Sequence, residues 1–378
     1  MNKFILIPDS FKGTMSSSDI CAIMAEQIAA VYPGAQAVSL PVADGGEGTV
    51  DSFLEAVGGE KRTLTVTGPL GESMEGFYGI LGDGKTAVVE MAAAAGLPLV
   101  QGRENPLLAT TFGVGELILD AAKSGVERIV VGLGGSSTND GGCGAAAAVG
   151  VRFLNGAGEA FVPAGGTLKD IANIDISGLH PAVRDVRITA MCDIDNPMYG
   201  PSGAAHIFGP QKGASPAVVE ELDAGIRHLA EVIRRSLGQN LDDVPGTGAA
   251  GAMGAGMVAF FGASLQMGIE TILDVVQFDK LATDADIVLT GEGKIDGQSL
   301  RGKVVVGVAR RASKLGVPVV AVVGDIGDNI SEIYGQGVSG IFSINRVAVG
   351  MDSARTRSRS DMALTVENLM RFLRSMGL

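Results

Sequence analysis

The sequence contains no tryptophan and only 4 tyrosines. Runs rich in Ala, Val and Gly stand where aromatics are missing, the composition of an α/β protein with buried parallel strands. Charged residues stop at 19% against 46% hydrophobic, which excludes a disordered chain and leaves ample apolar surface for large cores. Cys21, Cys143 and Cys192 are the only cysteines, and they lack paired spacing. A disulfide framework or thiolate zinc site is therefore not expected, and a reducing compartment fits. His180, His206 and His228 have no ligand spacing, and nothing pairs a nucleophile with a histidine for covalent hydrolase chemistry. Positive charge is short as well: the net charge is −13, which gives no general attraction for nucleic acid or anionic membranes. No apolar run approaches membrane-spanning length. The early run Phe4-Ile-Leu-Ile7, closed by Pro8, is too short for a signal peptide, and a cytoplasmic location is the expectation.

What is abundant is glycine, 56 of 378 residues. Such a supply of tight turns and close backbone approaches suits a protein that builds its sites from loops. The length exceeds one ordinary core and implies two domains. Residues 4–7 read as a strand, 8–15 as a loop, and 16–31 as a helix that Ser16 opens, with Asp19 three positions on completing a capping pair. A second strand over 37–42 runs into Asp44-Gly-Gly-Glu47, and Thr49 starts a helix to about 57. From 59 to about 80, alternating strands with Gly-Pro and Gly-Asp turns give antiparallel grammar. Helices are expected at 108–124, 142–149, 216–237 and 251–262. Past 272 the parallel rhythm returns, with strands at 286–290, 317–324 and 340–344 and helices at 304–315 and 352–376. The ends predict a doubly wound parallel-sheet domain, residues 1–65 plus 275–378, with residues 66–274 inserted as a second α/β domain. The cleft between them is the expected active site.

Two motif matches fail on context. Gly79-Ile-Leu-Gly-Asp-Gly-Lys-Thr86 fits the phosphate-loop pattern, but a strand rather than a helix follows it, and Asp83-Gly84 reads as a hairpin turn. Gly246-Thr-Gly-Ala-Ala-Gly251 fits the dinucleotide fingerprint yet follows a helix and a polar loop, so close helix packing or a loop lining the cleft is the better reading.

Other loops have the right context. Gly132-Leu-Gly-Gly-Ser-Ser-Thr-Asn-Asp-Gly-Gly142 follows a strand and precedes an Ala-rich helix. Gly134 and Gly135 let successive N–H groups converge on an anion, and Ser136, Ser137 and Thr138 add donors. Asn139 and Asp140 suit orienting a hydroxyl or holding Mg²⁺. Three strand-end loops repeat a mix of Gly, carboxylate and base. Asp9, Ser10 and Lys12 end the first strand, while Asp44, Gly45, Gly46 and Glu47 end the second. Glu292, Asp296, Ser299, Arg301 and Lys303 lie between the 286–290 strand and the next helix. Parallel strands would place all three on one sheet edge, where α/β ligand sites sit. Cys192-Asp-Ile-Asp-Asn-Pro197 adds Asp193 and Asp195, two apart and so on one face if the preceding strand continues. Lys212, between Pro210 and Gly213, is a candidate phosphate contact. These parts suit phosphoryl transfer, which needs cations and N–H groups around a γ-phosphate, Mg²⁺ on hard carboxylates, and a carboxylate near the attacking hydroxyl.

Pro8-Asp-Ser-Phe-Lys-Gly13, Pro41-Val-Ala-Asp-Gly-Gly-Glu-Gly-Thr49, the 134–142 loop, the 192–197 segment, Phe208-Gly-Pro-Gln-Lys-Gly-Ala214, the 246–251 segment and the run from Thr290 to Lys303 occur in order. Together they make the chain closely resemble the bacterial glycerate kinase family over essentially its whole length. The resemblance implies ATP-dependent phosphorylation of D-glycerate, with 2-phosphoglycerate the usual product, and a flavodoxin-like domain split around a second α/β domain. Roles within that frame are assigned from loop position and chemistry. Lys12, Arg301 and Lys303 are expected to bind phosphate or the glycerate carboxylate, and Asp44, Glu47 and Asp296 are candidates for Mg²⁺ or the base. Ser136 to Asp140 are expected to cradle one ligand from the opposite domain, with Asp193 completing the cleft. The expected partners are ATP and D-glycerate, with no nucleic acid or membrane and a homodimer left open. Two competing readings are a nicotinamide-dependent reductase of small hydroxy acids, which lacks a fingerprint after the first strand, and a non-catalytic hydroxy-acid-binding module.

Overall fold

The computed structural model describes residues 1–43, 45–297 and 299–378, and the side chains of Arg301 and Met351 lie outside that description. The chain forms two compact units, one of residues 1–43 with 269–378 and the other of residues 44–268.

The first unit is a five-stranded parallel sheet in the spatial order Val338–Ser343, Val319–Val323, Ile287–Gly291, Lys3–Pro8, Gln36–Ser39. Counted along the chain this is the order 2-1-3-4-5 of a doubly wound fold, whose switch point lies between its first and third strands. The three central strands are buried almost end to end because Phe4–Ile7, Ile287–Leu289 and Val319–Val323 are unbroken apolar runs, which only helices on both faces allow. Helices Ser17–Val31 and Met351–Ser375 close one face, packing Ile20, Met24, Ile28, Met362 and Val366 onto Phe4, Leu6, Leu289 and Val322. Ser16 caps the first helix as expected: its Oγ accepts from the Asp19 N–H at 3.1 Å, and the Asp19 carboxylate accepts from the Ser16 N–H at 3.2 Å.

The second unit carries a six-stranded sheet in the order Ser264–Gln266, Arg187–Met191, Arg128–Gly132, Thr86–Glu90, Ser73–Leu81, Gly59–Thr67. Its first four strands are parallel, and only the last two pair antiparallel. Parallel pairing therefore extends through the middle of the chain, beyond the antiparallel strands expected from 59 to about 80. The rhythm is hidden because a three-stranded satellite sheet and short helical turns interrupt the crossover between Gly132 and Arg187. Residues 44–65, read as part of the terminal unit, belong to this one because Gly59–Thr67 pairs along its full length with Ser73–Leu81. Among the described residues, no helix is long and apolar enough to cross a membrane.

Both discarded motifs are structural. Ser73–Leu81 and Thr86–Glu90 form a hairpin whose turn is tied by Asp83 Oδ1, which accepts from the N–H groups of Lys85 and Thr86. The 246–251 segment packs against the 134–142 loop, where the Gly141 N–H donates to the Gly251 carbonyl at 3.0 Å. A Cβ on Gly251 would stand 2.1 Å from the Thr138 carbonyl oxygen, so only glycine permits the approach.

Candidate active site

In the first unit, three strand tips adjoin at the switch point. Pro8 and Gly291 are register partners, and the Asp9 N–H donates to the Gly291 carbonyl at 2.8 Å. The Gly324 N–H, beyond the next strand, donates to the Glu292 carbonyl at 3.1 Å. Ser17, on the first helix, ties the edge together: its buried Oγ donates to the Pro8 carbonyl at 2.6 Å and accepts from the Val42 N–H at 2.8 Å. The Ser10 N–H is turned onto Asp9 Oδ1 at 2.6 Å. Phe11 and Lys12 lie along the Gly293 backbone, so the turns near positions 12 and 296 are neighbours. Lys12 and Lys303 are exposed, Asp296 is half-buried, and Ser299 and Glu292 are buried. Ser299 Oγ accepts from the Asp296 N–H at 3.3 Å. Burial pushes the Glu292 carboxyl up to about 7, with Asp9 and Asp296 adding to the shift and Ser299 and Lys303 opposing it.

In the second unit, the turn following Asp44 and the glycine-rich loop come together. The Gly134 N–H donates to the Gly45 carbonyl at 2.9 Å, and a Cβ on Gly134 would lie 2.6 Å from Gly46 Cα. The loop is pinned from several sides. The Ser137 N–H and Oγ both donate to the Ala95 carbonyl at 2.9 Å, and the Leu97 N–H donates to the Gly135 carbonyl at 2.8 Å. Asp140 is fully buried, and its carboxylate accepts from Thr111 N–H (2.8 Å), Thr111 Oγ1 (2.9 Å), Gly142 N–H (3.1 Å) and Gly144 N–H (3.2 Å). Burial raises its pKa against the pull of those donors. Asp140 thus joins the loop to the helices Phe112–Lys123 and Cys143–Ala148, and its oxygens are taken up in that work rather than offered to Mg²⁺.

Lys212 also differs from expectation. It is 2% exposed and faces the loop, donating from Nζ to Ser136 Oγ at 2.8 Å and to the Thr138 carbonyl at 2.6 Å. Burial lowers its pKa to about 7, which Asp140 partly offsets. On the loop that this ammonium holds, Thr138 Oγ1 and both polar atoms of the Asn139 side chain are buried and have no hydrogen-bond partner among the described residues. Buried polar atoms left in this state are rare and point to a ligand or water as the missing partner. The strand before Cys192 ends at Met191, so Asp193 and Asp195 do not share a strand face. Asp193 is exposed and accepts from the Gly268 N–H at 2.6 Å. Glu47 is exposed. Asp44 and the Arg301 side chain lie outside the described residues.

Sequence reasoning missed Glu90. It is 1% exposed at the end of its strand and accepts from the Val50 N–H at 3.1 Å, at the start of the helix Thr49–Val57 that carries the Gly45–Glu47 turn. Burial raises its pKa, and the Val50, Gly48 and Thr49 N–H groups oppose the rise. A lone carboxylate closing the run Ala87-Val-Val was the available signal. Among the described residues, no three His, Cys, Asp or Glu side chains converge as a preformed metal cage.

The family model described as "Glycerate kinase family" matches residues 4–374. The chain belongs to the glycerate kinase family. Within it, the chain is 46% identical over 343 residues to "Glycerate 2-kinase" of Escherichia coli, covering 90% of each chain. It is 43% identical over 370 residues to "Glycerate kinase" of Halalkalibacterium halodurans, covering 98% of this chain and 97% of that one. A crystal structure of a protein provisionally named glycerate kinase 2, from Salmonella typhimurium, superposes with a TM-score of 0.88 at 39% identity, covering 100% of this chain and 99% of that chain. The protein is an enzyme with the two-unit α/β fold of this family, and neither the reductase nor the non-catalytic reading has support.

Proposed function

We propose that the enzyme transfers the γ-phosphoryl group of ATP to D-glycerate, giving 2-phosphoglycerate. The name and near-complete coverage of the Escherichia coli relative favour the 2-hydroxyl as acceptor. The observation that carries the reading is the furnishing of the switch point in the first unit. A buried carboxyl, Glu292, stands there with Asp9, Asp296 and Lys303 around it, the ligand-binding edge of a doubly wound sheet.

Phosphoryl transfer asks for positioned charge more than covalent chemistry. Lys12, Arg301 and Lys303 are the cations for phosphate oxygens and the glycerate carboxylate. Lys303 also precedes the helix Val304–Ser313, whose N-terminal N–H groups favour anions. In the second unit, Gly134 to Asn139 form a cradle with unspent polar atoms, and Lys212 holds it in shape. Mg²⁺ would be held by one or two carboxylates of the protein alongside the bound phosphates. Glu47, exposed on a turn whose backbone is braced by Gly134, fits that demand, with Asp44 as its partner. When bound, the ion neutralises charge on the transferring phosphate.

Incubating the enzyme with ATP, Mg²⁺ and D-glycerate should give ADP and a product of phosphoglycerate mass, and phosphorus NMR should assign the phosphate to the 2-position. A 3-phosphoglycerate signal would reverse the regiochemistry, and no product at all would reject the reading.

A further inference from the structure

We infer that Glu292 is the general base of the transfer, its carboxylate accepting the proton of the acceptor hydroxyl as that oxygen attacks the γ-phosphorus. This rests on the kinase reading above and adds a role that family membership does not supply. The first observation is placement. Glu292 is the first residue past the central strand Ile287–Gly291, beside the tip of Lys3–Pro8 at the switch point. The second is an unfilled valence. Glu292 Oε1 is buried and accepts no hydrogen bond among the described residues. A buried carboxylate oxygen without a donor is costly, and a bound hydroxyl supplies the donor it lacks. The third is support. Ser299, itself buried, hydrogen-bonds to the carboxyl.

Among the described residues, the charged groups facing Glu292 are Asp9 from the first strand's tip, Asp296 from its own loop and Lys303 from the start of the following helix. Their balance with burial leaves the carboxyl titrating at about 7, where a base is ionised in much of the population yet basic enough to take a proton. Asp296, the other base candidate in this unit, is half-buried and sits 3.9 Å from Lys294, a more hydrated setting. In the step itself, the hydroxyl oxygen forms the new P–O bond, the bond from the γ-phosphorus to the ADP oxygen breaks, and the hydroxyl proton passes to Glu292. ADP leaves with the electron pair of the broken bond.

The test compares the full-length wild type with Glu292→Gln and Ser299→Ala, using ATP, Mg²⁺ and D-glycerate between pH 5.5 and 9. Glu292→Gln should lose about 10²–10⁴-fold in kcat, with KM for glycerate and nucleotide affinity within threefold of wild type. Its residual rate should lack the acidic limb that wild type shows near pH 7. Its melting temperature at pH 8 should equal or exceed that of wild type, which separates lost chemistry from lost fold. Ser299→Ala removes a bond that favours the ionised carboxyl, so the limb should move to higher pH. A Glu292→Gln kcat within tenfold of wild type, an unchanged limb in either variant, or rescue by tenfold more Mg²⁺ would each overturn the base assignment alone. A wild type that transfers no phosphoryl group to D-glycerate would overturn the kinase reading and the base with it.

Discussion

The ammonium of Lys212 donates to the carbonyl oxygen of Thr138 at 2.6 Å, across 74 positions of sequence. The contact is buried, with Lys212 2% exposed and Thr138 0% exposed. A side chain expected to contact phosphate instead fixes the backbone of the loop whose Thr138 and Asn139 side chains have polar atoms with no partner among the described residues.

Such a lysine has a stability signature with a definite sign. Its pKa falls from 10.5 to about 7 on folding. Below about pH 7 both folded and unfolded chains hold the proton, and the folded state bears the full cost of a buried charge. Between about 7 and 10.5 only the unfolded chain keeps it, so folded stability from this group rises with pH. Lys212→Met removes the term and leaves a pH-independent penalty for the unpaired Thr138 carbonyl. Relative to wild type, the variant should therefore be at its most stable near pH 6.5 and lose that advantage by pH 9, while turnover drops at least tenfold. Thermal melts across that range check this, and a stability difference that does not vary with pH would refute it.

Asp140 makes the opposite case, a carboxylate whose value is structural. Four donors converge on it, and an amide in its place would turn an N–H₂ group toward other N–H groups. Asp140→Asn should cost about 2–4 kcal/mol in urea unfolding, on the scale of hydrogen bonds to a buried charge. A Mg²⁺ ligand at this position would instead lose activity with its urea midpoint intact.

These two residues mark where the sequence could be read and where it could not. Loop chemistry was legible because strand-to-loop transitions leave local marks: the apolar run, the glycines, the clustered Asp and Lys. The capping pair Ser16 and Asp19 and the Asp83-Gly84 hairpin were legible for the same reason. Direction was not. Whether Lys212 points to solvent or to Ser136 depends on a partner 76 positions away, and Asp140 looks like a metal ligand until Thr111 is placed beside it. The four parallel strands of the second unit were obscured similarly, since the pairing of Arg128–Gly132 with Arg187–Met191 spans a long irregular crossover. Glu90 went unread because one carboxylate ending a buried strand gives no pattern to count.

Ser17 offers a test of the switch-point edge that touches no proposed ligand contact. Its Oγ satisfies both the Pro8 carbonyl and the Val42 N–H. Alanine leaves two buried backbone groups unpaired, and each such group costs about 1–3 kcal/mol. Ser17→Ala should therefore lower the urea midpoint clearly, and raise KM for substrate because Asp9 and Lys12 lose their anchored strand tip. A variant with wild-type stability would mean that water replaces the hydroxyl at no cost.

Gly134 tests whether the approach of two backbones shapes the second unit's cradle. A Cβ there would lie 2.6 Å from Gly46 Cα and 2.8 Å from the Gly46 nitrogen. Neither atom belongs to a flexible side chain, so the 45–47 turn must move or the strand end must bend, at a cost of about 1–3 kcal/mol by the usual scale of overpacking. The matched control is Gly156, where an added Cβ meets nothing within 4 Å and the backbone has no left-handed φ. Gly156→Ala should stay within about 0.5 kcal/mol of wild type with full activity. Gly134→Ala should lose stability and at least tenfold in turnover together, because the turn carrying Glu47 rests on it. Equal behaviour of the two variants in urea unfolding and in turnover would show that the turn does not depend on this contact.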